Sequence, residues 1–387
     1  MSLILRFLLP IFDPSVKTWS RDARVLRWLT FLWLAIGLVL LFSASYAVGV
    51  ANYDSGLHYF KTQLIWIFLG LAGFNTLVHL PLRSVLLLSK LALFVCIGLI
   101  LATLIPGLGV EINGASRWLY FGKLGIQPSE LIKPFLVLQA ASLFGNWSRL
   151  TVTTRWLWIG VFSLILGLIL LQPNLSTAAL CGMVVWCIAL ASGLPMTYIS
   201  SAALSGIGLA VISVSFQSYQ RRRLLSFWNP WRLADGDGYQ LVQSLLAIGS
   251  GGIWGRGLGL SQQKLFYLPI QYTDFIFSVF AEEFGLLGAM VLLLLLAVYA
   301  TFGLRVAVRA KLPIHQLIAI GIVTLLIGQS LLNIGVATGA LPTTGLPFPF
   351  ISYGGSSMLS SLMSAGLLVR VARESSESAV VPMSSRM

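Results

Sequence analysis

Asp274, in the stretch QYTDFIF, follows closely on a polar loop that carries Arg221, Arg222, Arg223, Arg232, Arg256 and Lys264 against Asp235 and Asp237. A carboxylate can take a proton from a sugar hydroxyl if partial burial lifts its pKa and a nearby cation holds the reaction partner. A basic loop meeting a carboxylate is what phosphate-activated chemistry needs, with Asp274 as general base. The plainer reading is a carboxylate that complements a helix N-terminal dipole. The basic excess likewise has two readings, a phosphate-bearing ligand or anionic lipid headgroups.

Other polar residues stand out because their surroundings are apolar. Glu130 and Lys133 are three apart on a helical pattern, so they share a face and can pair. They form either a structural ion pair or a site in which Lys133 contacts an anionic substrate and Glu130 positions it. Glu282 and Glu283 fall roughly 12 Å beyond Asp274 along a helix and on other sides of it, which fits a structural or proton-linked role. Residues 341–358, LPTTGLPFPFISYGGSSM, contain prolines and glycines that break a helix. Irregular backbone at membrane depth survives when buried in protein or lining a wet cavity. Ser352, Ser356 and the free amides of this stretch could hold a ligand, or the stretch is a kink in a helix pair. Arg117, beside Trp118, is a ligand contact or an interfacial anchor. Cys96, Cys181 and Cys187 lie in apolar runs without metal-ligand spacing, and His58, His79 and His315 are scattered.

These residues sit in a chain of 387 residues, 57% hydrophobic and 10% charged. Ordinary soluble domains are roughly 25% charged, so lipid is the better solvent. The net charge of +13 has no soluble domain to serve nucleic acid. About ten spans of the length a bilayer requires are expected near 26–50, 60–79, 84–105, 129–146, 155–172, 174–192, 195–216, 273–304, 314–339 and 347–370. The N-terminus reads as a cytoplasmic tail, 1–24, leading into a signal-anchor without a cleavable signal peptide. The span domain is 25–373, and 374–387 reads as a disordered cytoplasmic tail. Arg6, Lys17, Arg21, Arg24, Arg27, Arg83, Arg149, Arg155, Arg305, Arg309, Lys311, Arg370, Arg373 and Arg386 mark the inner side. Two long loops then fall outside: the Gly-rich 106–128, with Arg117 and Lys123, and the basic 217–272. Within the latter, Trp228, Pro230 and Trp231 suit the interface, 239–249 fits an amphipathic surface helix, and 249–259 is Gly-dense. The fold class is all-α, polytopic, with a large extracytoplasmic loop.

Five segments occur in an order that resembles the SEDS family (shape, elongation, division and sporulation proteins). They are NGASRWLYFGKLGIQPSELIKPF at 113–135, LLQPNLSTA at 170–178, GYQLVQSLLAIGSGGIWGRGLG at 238–259, KLFYLPIQYTDFIFSVFAEEFGLLG at 264–288 and NIGVATGALPTTGLPFPFISYGGSS at 333–357. KLFYLP, GYQLVQS and LPTTG lie nearer the division branch than the elongation branch. The resemblance implies a ten-span fold and a peptidoglycan glycosyltransferase that polymerises lipid II at the outer face of the bacterial cytoplasmic membrane. It also implies a class B penicillin-binding protein and division-site proteins as partners, with enrichment at the septum. The family's essential aspartate matches Asp274, and its PSE-x-x-K glutamate and lysine match Glu130 and Lys133. Two departures are Ile270, Gln271 and Tyr272, where Glu-Ala-His is usual, and Asn174, where QPD is usual. The lost histidine weakens a His partner for Asp274.

The expected reaction is an inverting transfer. Asp274 takes the proton of the lipid II sugar 4-hydroxyl. Lys133 and some of Arg221, Arg222, Arg223, Arg256 and Lys264 stabilise the departing pyrophosphate. Mg or Mn would suit that group, although no ligand cluster demands either. Rival readings are a lipid II flippase, which a broken helix also fits, and a scaffold that activates a partner synthase.

Overall fold

The computed structural model describes residues 13–112, 115–122 and 124–380. Arg6, Asn113, Gly114, Lys123 and Arg386 lie outside them.

Each of the ten expected spans is built on a helix, the last starting at Gly355 and not at 347: α1 (Arg21–Tyr53), α2 (His58–His79), α3 (Leu82–Thr103), α4 (Pro128–Gly145), α5 (Val152–Leu171), α6 (Leu175–Ala191), α7 (Met196–Phe216), α10 (Ile276–Arg309), α11 (Pro313–Ala337) and α12 (Gly355–Val380). Eight are long and apolar enough to cross a membrane; α6 is shorter, and α4 carries Glu130, Lys133 and Pro134 within 18 residues. Helix starts follow local chemistry. The Ser20 hydroxyl accepts from Ala23 N–H to cap α1, and Asn174 caps α6 through Thr177 N–H. Pro128 and Pro313 open α4 and α11, where a missing N–H costs nothing.

The enclosed centre of the bundle is α12, packed along α2 and against α1, α4 and α11. Outermost is α7, which leans on α6 and α8 and buries Ile199. At the end where α1 begins, Arg309 pairs with Asp22 at 2.7 Å, and Glu374 accepts from Leu82 N–H and Arg370 Nε. Of the tail expected to be disordered, 374–380 continue α12 to Val380, and 381–387 lie outside the described residues.

Both long loops are structured. The first contains an antiparallel sheet of three strands, β1 (Val110–Ile112), β2 (Ala115–Phe121) and β3 (Leu124–Ile126), in the order β1-β2-β3. Along β2, Ala115 and Leu119 are buried while Tyr120 is exposed. The basic loop contains α8 (Ser218–Trp228) and α9 (Tyr239–Gly251).

The amphipathic segment 239–249 does not lie free on a surface. It is α9, and it packs on α10, with Ser244 Oγ 2.6 Å from Ser278 Oγ and donating to Ala337 O at 2.6 Å. Beyond α9 the chain runs on beside α10 as far as a break at Gly285 (φ 64°, ψ −164°). Backbone groups near the break are paired across to the loop. Arg256 N–H donates to Glu282 O, Gly257 N–H to Glu283 O, Leu286 N–H to Gly252 O and Leu287 N–H to Ile253 O, all at 2.9–3.1 Å. A helix break inside a spanning segment is tolerated when neighbouring protein takes over the freed groups, and here the Gly-dense loop does so. Residues 263–275 then return to the end of the bundle where α10 begins.

Candidate active site

Four connections converge at that end: the β1–β3 sheet, Gln172–Asn174, the return segment 263–275, and the non-helical segment 338–354. Asp274 stands on the third. It was expected in the first turn of a span starting at 273, but α10 begins at Ile276, after a turn in which Thr273 N–H and Oγ1 both donate to Ile270 O. Asp274 is therefore fixed by tertiary bonds. Asn333 Nδ2 of α11 donates to Asp274 O and to Leu346 O, each at 2.8 Å. Tyr353 N–H donates to Tyr272 O, and the Ser352 hydroxyl donates to Thr273 O while accepting from Phe348 N–H. The catalytic candidate and the irregular segment are thus laced into one unit.

The carboxylate is half-buried, and burial pushes it up to about 6. Arg223, the Thr273 hydroxyl and Arg117 draw it back down, and Glu130 adds to the rise. A base with a pKa near working pH is ionised often enough to accept a proton and basic enough to hold it. Gly345 lies alongside: a Cβ there would stand 3.5 Å from Oδ2, so the carboxylate keeps an approach that a side chain would narrow.

The candidate cations divide into distinct groups. Arg223 reaches inward from α8, donates to Thr343 O at 3.3 Å and acts on Asp274. Arg117 projects from β2, donates through Nε and Nη2 to Gln172 O and Pro173 O at 2.9 and 2.6 Å, and also acts on Asp274. Lys133 pairs with Glu130 at 2.6 Å, buried in α4, and donates to Gln329 Oε1 at 3.1 Å. Arg221 and Arg222 are exposed, and Arg222 faces Asp237 at 3.8 Å. Arg256 and Lys264 are engaged elsewhere. Arg256 lies 3.6 Å from Glu282, and Lys264 is buried against Glu283 at 2.7 Å. The structure therefore brings Arg117, Glu130 and Arg223 towards Asp274, with Lys133 held on Glu130, and leaves Arg256 and Lys264 with the glutamates of the broken helix.

Ser352 and Ser356 are buried braces. The first binds Thr273 as above, and Ser356 Oγ accepts from Gln127 N–H at the start of α4. Sequence reasoning passed over Gln329 and Asn333. Gln329 joins Lys133 to Pro347 O, and Asn333 holds Asp274. Four apart in an otherwise apolar span, both were costly residues in lipid and could have been found on that ground. Tyr272, one of the departures from the pattern the resemblance implied, lies against Tyr59 and Tyr353; burial and these neighbours keep its phenol protonated, so it offers a ring and a hydroxyl there.

A cavity of about 220 Å³ lined by Leu86, Lys90, Gln139, Asn146 and Trp158 lies between α3, α4 and α5, away from Asp274. Among the described residues no group of three or more His, Cys, Asp or Glu could hold a metal.

Similarity to known proteins runs along most of the chain. The pattern of the FtsW/RodA/SpoVE cell cycle protein family matches residues 23–377. The probable peptidoglycan glycosyltransferase FtsW of Synechocystis sp. is 58% identical over 99% of this chain and 97% of its own length. The stage V sporulation protein E of Bacillus subtilis is 35% identical over 90% of this chain and 96% of its own. Among solved structures, a chain of a peptidoglycan synthase complex that coordinates polymerization and crosslinking superposes with a TM-score of 0.72 at 27% identity, covering 90% of this chain and 97% of that one. The rod shape determining protein RodA of Thermus thermophilus gives 0.66 at 28% identity, covering 90% and 96%. With a family pattern over nearly its whole length and close relatives matched end to end, the chain belongs to the FtsW/RodA/SpoVE cell cycle protein family.

Proposed function

We propose that this chain is a peptidoglycan glycosyltransferase that polymerises lipid II, with Asp274 as its general base. The observation that carries the assignment of the base is a half-buried carboxylate, raised to about 6, within electrostatic reach of Arg223 and Arg117. The family, and relatives named as peptidoglycan glycosyltransferases, supply the substrate class.

The acceptor's sugar 4-hydroxyl oxygen attacks the anomeric carbon of the donor glycan from the face opposite the pyrophosphate. A new C–O bond forms, the bond to the pyrophosphate oxygen breaks, and configuration inverts. The hydroxyl proton passes to Asp274. The polyprenyl pyrophosphate leaves with the bonding electrons, and its charge is met by Arg223 and Arg117, with Lys133 behind them. Fixed cations at a site of developing charge need no reorganisation as the bond breaks.

The protein is a multi-pass membrane protein working with a penicillin-binding protein partner; the neighbouring synthase complex supports the pairing. We place the Asp274 end at the outer face, from the lysine and arginine asymmetry of the connections. Division-site proteins and the septum complete the reading, supported by the FtsW relatives.

The test is polymerisation of lipid II by purified protein with its partner, comparing wild type with Asp274→Ala. Glycan chains are expected from wild type and not from the folded, partner-bound variant. Polymer from both forms overturns the role of Asp274. Lipid translocation across vesicles without polymer from either would favour a flippase.

A further inference from the structure

Aromatic side chains from separate parts of the chain gather around Tyr272, on the segment that carries Asp274. The Tyr59 ring centroid lies 4.7 Å from that of Tyr272 and 5.1 Å from that of Tyr353, and Tyr272 and Tyr353 are 5.8 Å apart. Tyr53, from the end of α1, stacks on His58 at 3.6 Å with the planes 4° apart, and meets Tyr59 edge-on at 5.7 Å. Tyr59 is buried in the middle, while Tyr53 is 52% exposed. The Tyr272 hydroxyl donates to the Tyr59 hydroxyl at 3.4 Å, and Tyr272 is two residues from Asp274.

Aromatic anchors of a membrane interface are spread around the perimeter. These rings converge on one another and on the segments that hold Asp274. An aromatic ring offers an apolar face and, in tyrosine, a polar handle. A pyranose ring offers the complement: C–H groups on its faces and hydroxyls around its edge. The cations that reach Asp274 come from α8 and β2; the aromatic rings come from α1, α2 and the two segments laced through Tyr272 and Tyr353. Charge and ring faces thus arrive on different elements.

We propose that the Tyr53–His58–Tyr59–Tyr272–Tyr353 cluster is a saccharide-stacking subsite that holds an uncharged hexosamine ring of the glycan next to Asp274. The inference rests on the glycosyltransferase reading. Tyr53 and His58 give the open end of the platform, and Tyr272 the end nearest the base.

The experiment uses the full chain in lipid nanodiscs and a peptide-free, lipid-free tetrasaccharide of alternating N-acetylglucosamine and N-acetylmuramic acid. Saturation-transfer NMR reports contact, and titration reports affinity. Wild type and Tyr272→Phe are expected to bind alike. Tyr53→Ala and Tyr272→Ala are each expected to bind about three- to tenfold more weakly, the range one aromatic contact supports. Asp274→Asn is expected to bind the sugar and fail to polymerise lipid II. Equal binding by wild type and both alanine variants, with thermal unfolding unchanged, overturns the subsite, as does no binding by wild type. Polymerisation by Asp274→Asn would instead overturn the catalytic reading and leave the binding result standing.

Discussion

Lys264 Nζ lies 2.7 Å from Glu283 Oε1 and 2.9 Å from Ser43 Oγ, in the interior of the bundle and ten residues ahead of Asp274. The pair fastens the return segment to α1 and α10 at once. Beside it, Glu282 accepts from Ser261 Oγ, Gln262 N–H and Gln263 N–H, pinning the turn where that segment begins. Two adjacent carboxylates therefore position the chain that carries Asp274, without touching it.

Breaking such a pair from one side leaves a buried charge without its partner, which costs about 3–5 kcal/mol. Lys264→Met is expected to unfold at clearly lower temperature and to lose kcat more than it raises KM, because Asp274 shifts while the cations stay. Lys264→Met combined with Glu283→Leu removes both charges and is expected to regain most of the stability and only part of kcat. Thermal unfolding in detergent and polymerisation kinetics check this. Full activity in the single variant would show that the pair does not position Asp274.

Raising the Asp274 pKa has consequences of opposite sign for activity and stability. As the proposed base the group must be ionised, so kcat/KM is expected to rise with pH through about 6 and then level off. For stability, the folded pKa is above the unfolded value of about 3.9, so the folded state holds the proton more tightly. That contribution is complete below the unfolded pKa and is lost as pH rises through about 6. Asp274→Asn is therefore expected to be inactive yet more heat-stable than wild type at pH 7.5, with the gap closing towards pH 4. A gap independent of pH would mean that the carboxyl titrates elsewhere.

The break at Gly285 is where the backbone tolerates least change. Its φ of 64° with ψ of −164° belongs to glycine, and a Cβ would collide with Gly255 N and Ile253 O. Gly285→Ala is expected to cost at least about 1–3 kcal/mol from backbone strain alone and to loosen the return segment. Gly98→Ala, on a helix face with nothing within 4 Å, is the control and is expected to be neutral or slightly stabilising. Hydrogen exchange over 252–275 should quicken in the first variant and not in the second.

Much of this was legible in the residues. Spans read correctly because runs of apolar residues about 20 long leave a bilayer little choice, and the prolines of 341–349 announced an irregular segment. Asp274 stood out as a candidate because it follows a basic stretch. What could not be read was partnership. Six cations in one loop look equivalent in sequence, yet Lys264 and Arg256 turn to Glu283 and Glu282 while Arg223 turns to Asp274. That division depends on the loop descending beside α10, and the descent depends on the match between a Gly-dense stretch and the break at Gly285. The helical pattern of 239–249 was plain, but its apolar face fits a helix partner as well as a lipid surface, and only packing decides. The sheet at 110–126 was hidden because its strands are of three, seven and three residues.

Arg117 and Arg223 both act on Asp274, and their bonds separate their roles. Arg223 makes one long bond to Thr343 O, whereas Arg117 grips two carbonyls with its fork. Arg223→Ala removes a charge that holds the Asp274 pKa down, so the acid limb of the pH profile is expected to move to higher pH. Arg117→Lys keeps the charge, so that limb is expected to shift little. A lysine cannot span Gln172 O and Pro173 O together, however, and the hold of β2 on the start of α6 loosens. The expected result is lower kcat/KM at every pH, with faster hydrogen exchange in β2. Matching pH shifts in the two variants would mean that Arg117 acts on Asp274 through its brace, whereas an unshifted Arg223→Ala would remove Arg223 from the electrostatics of the site.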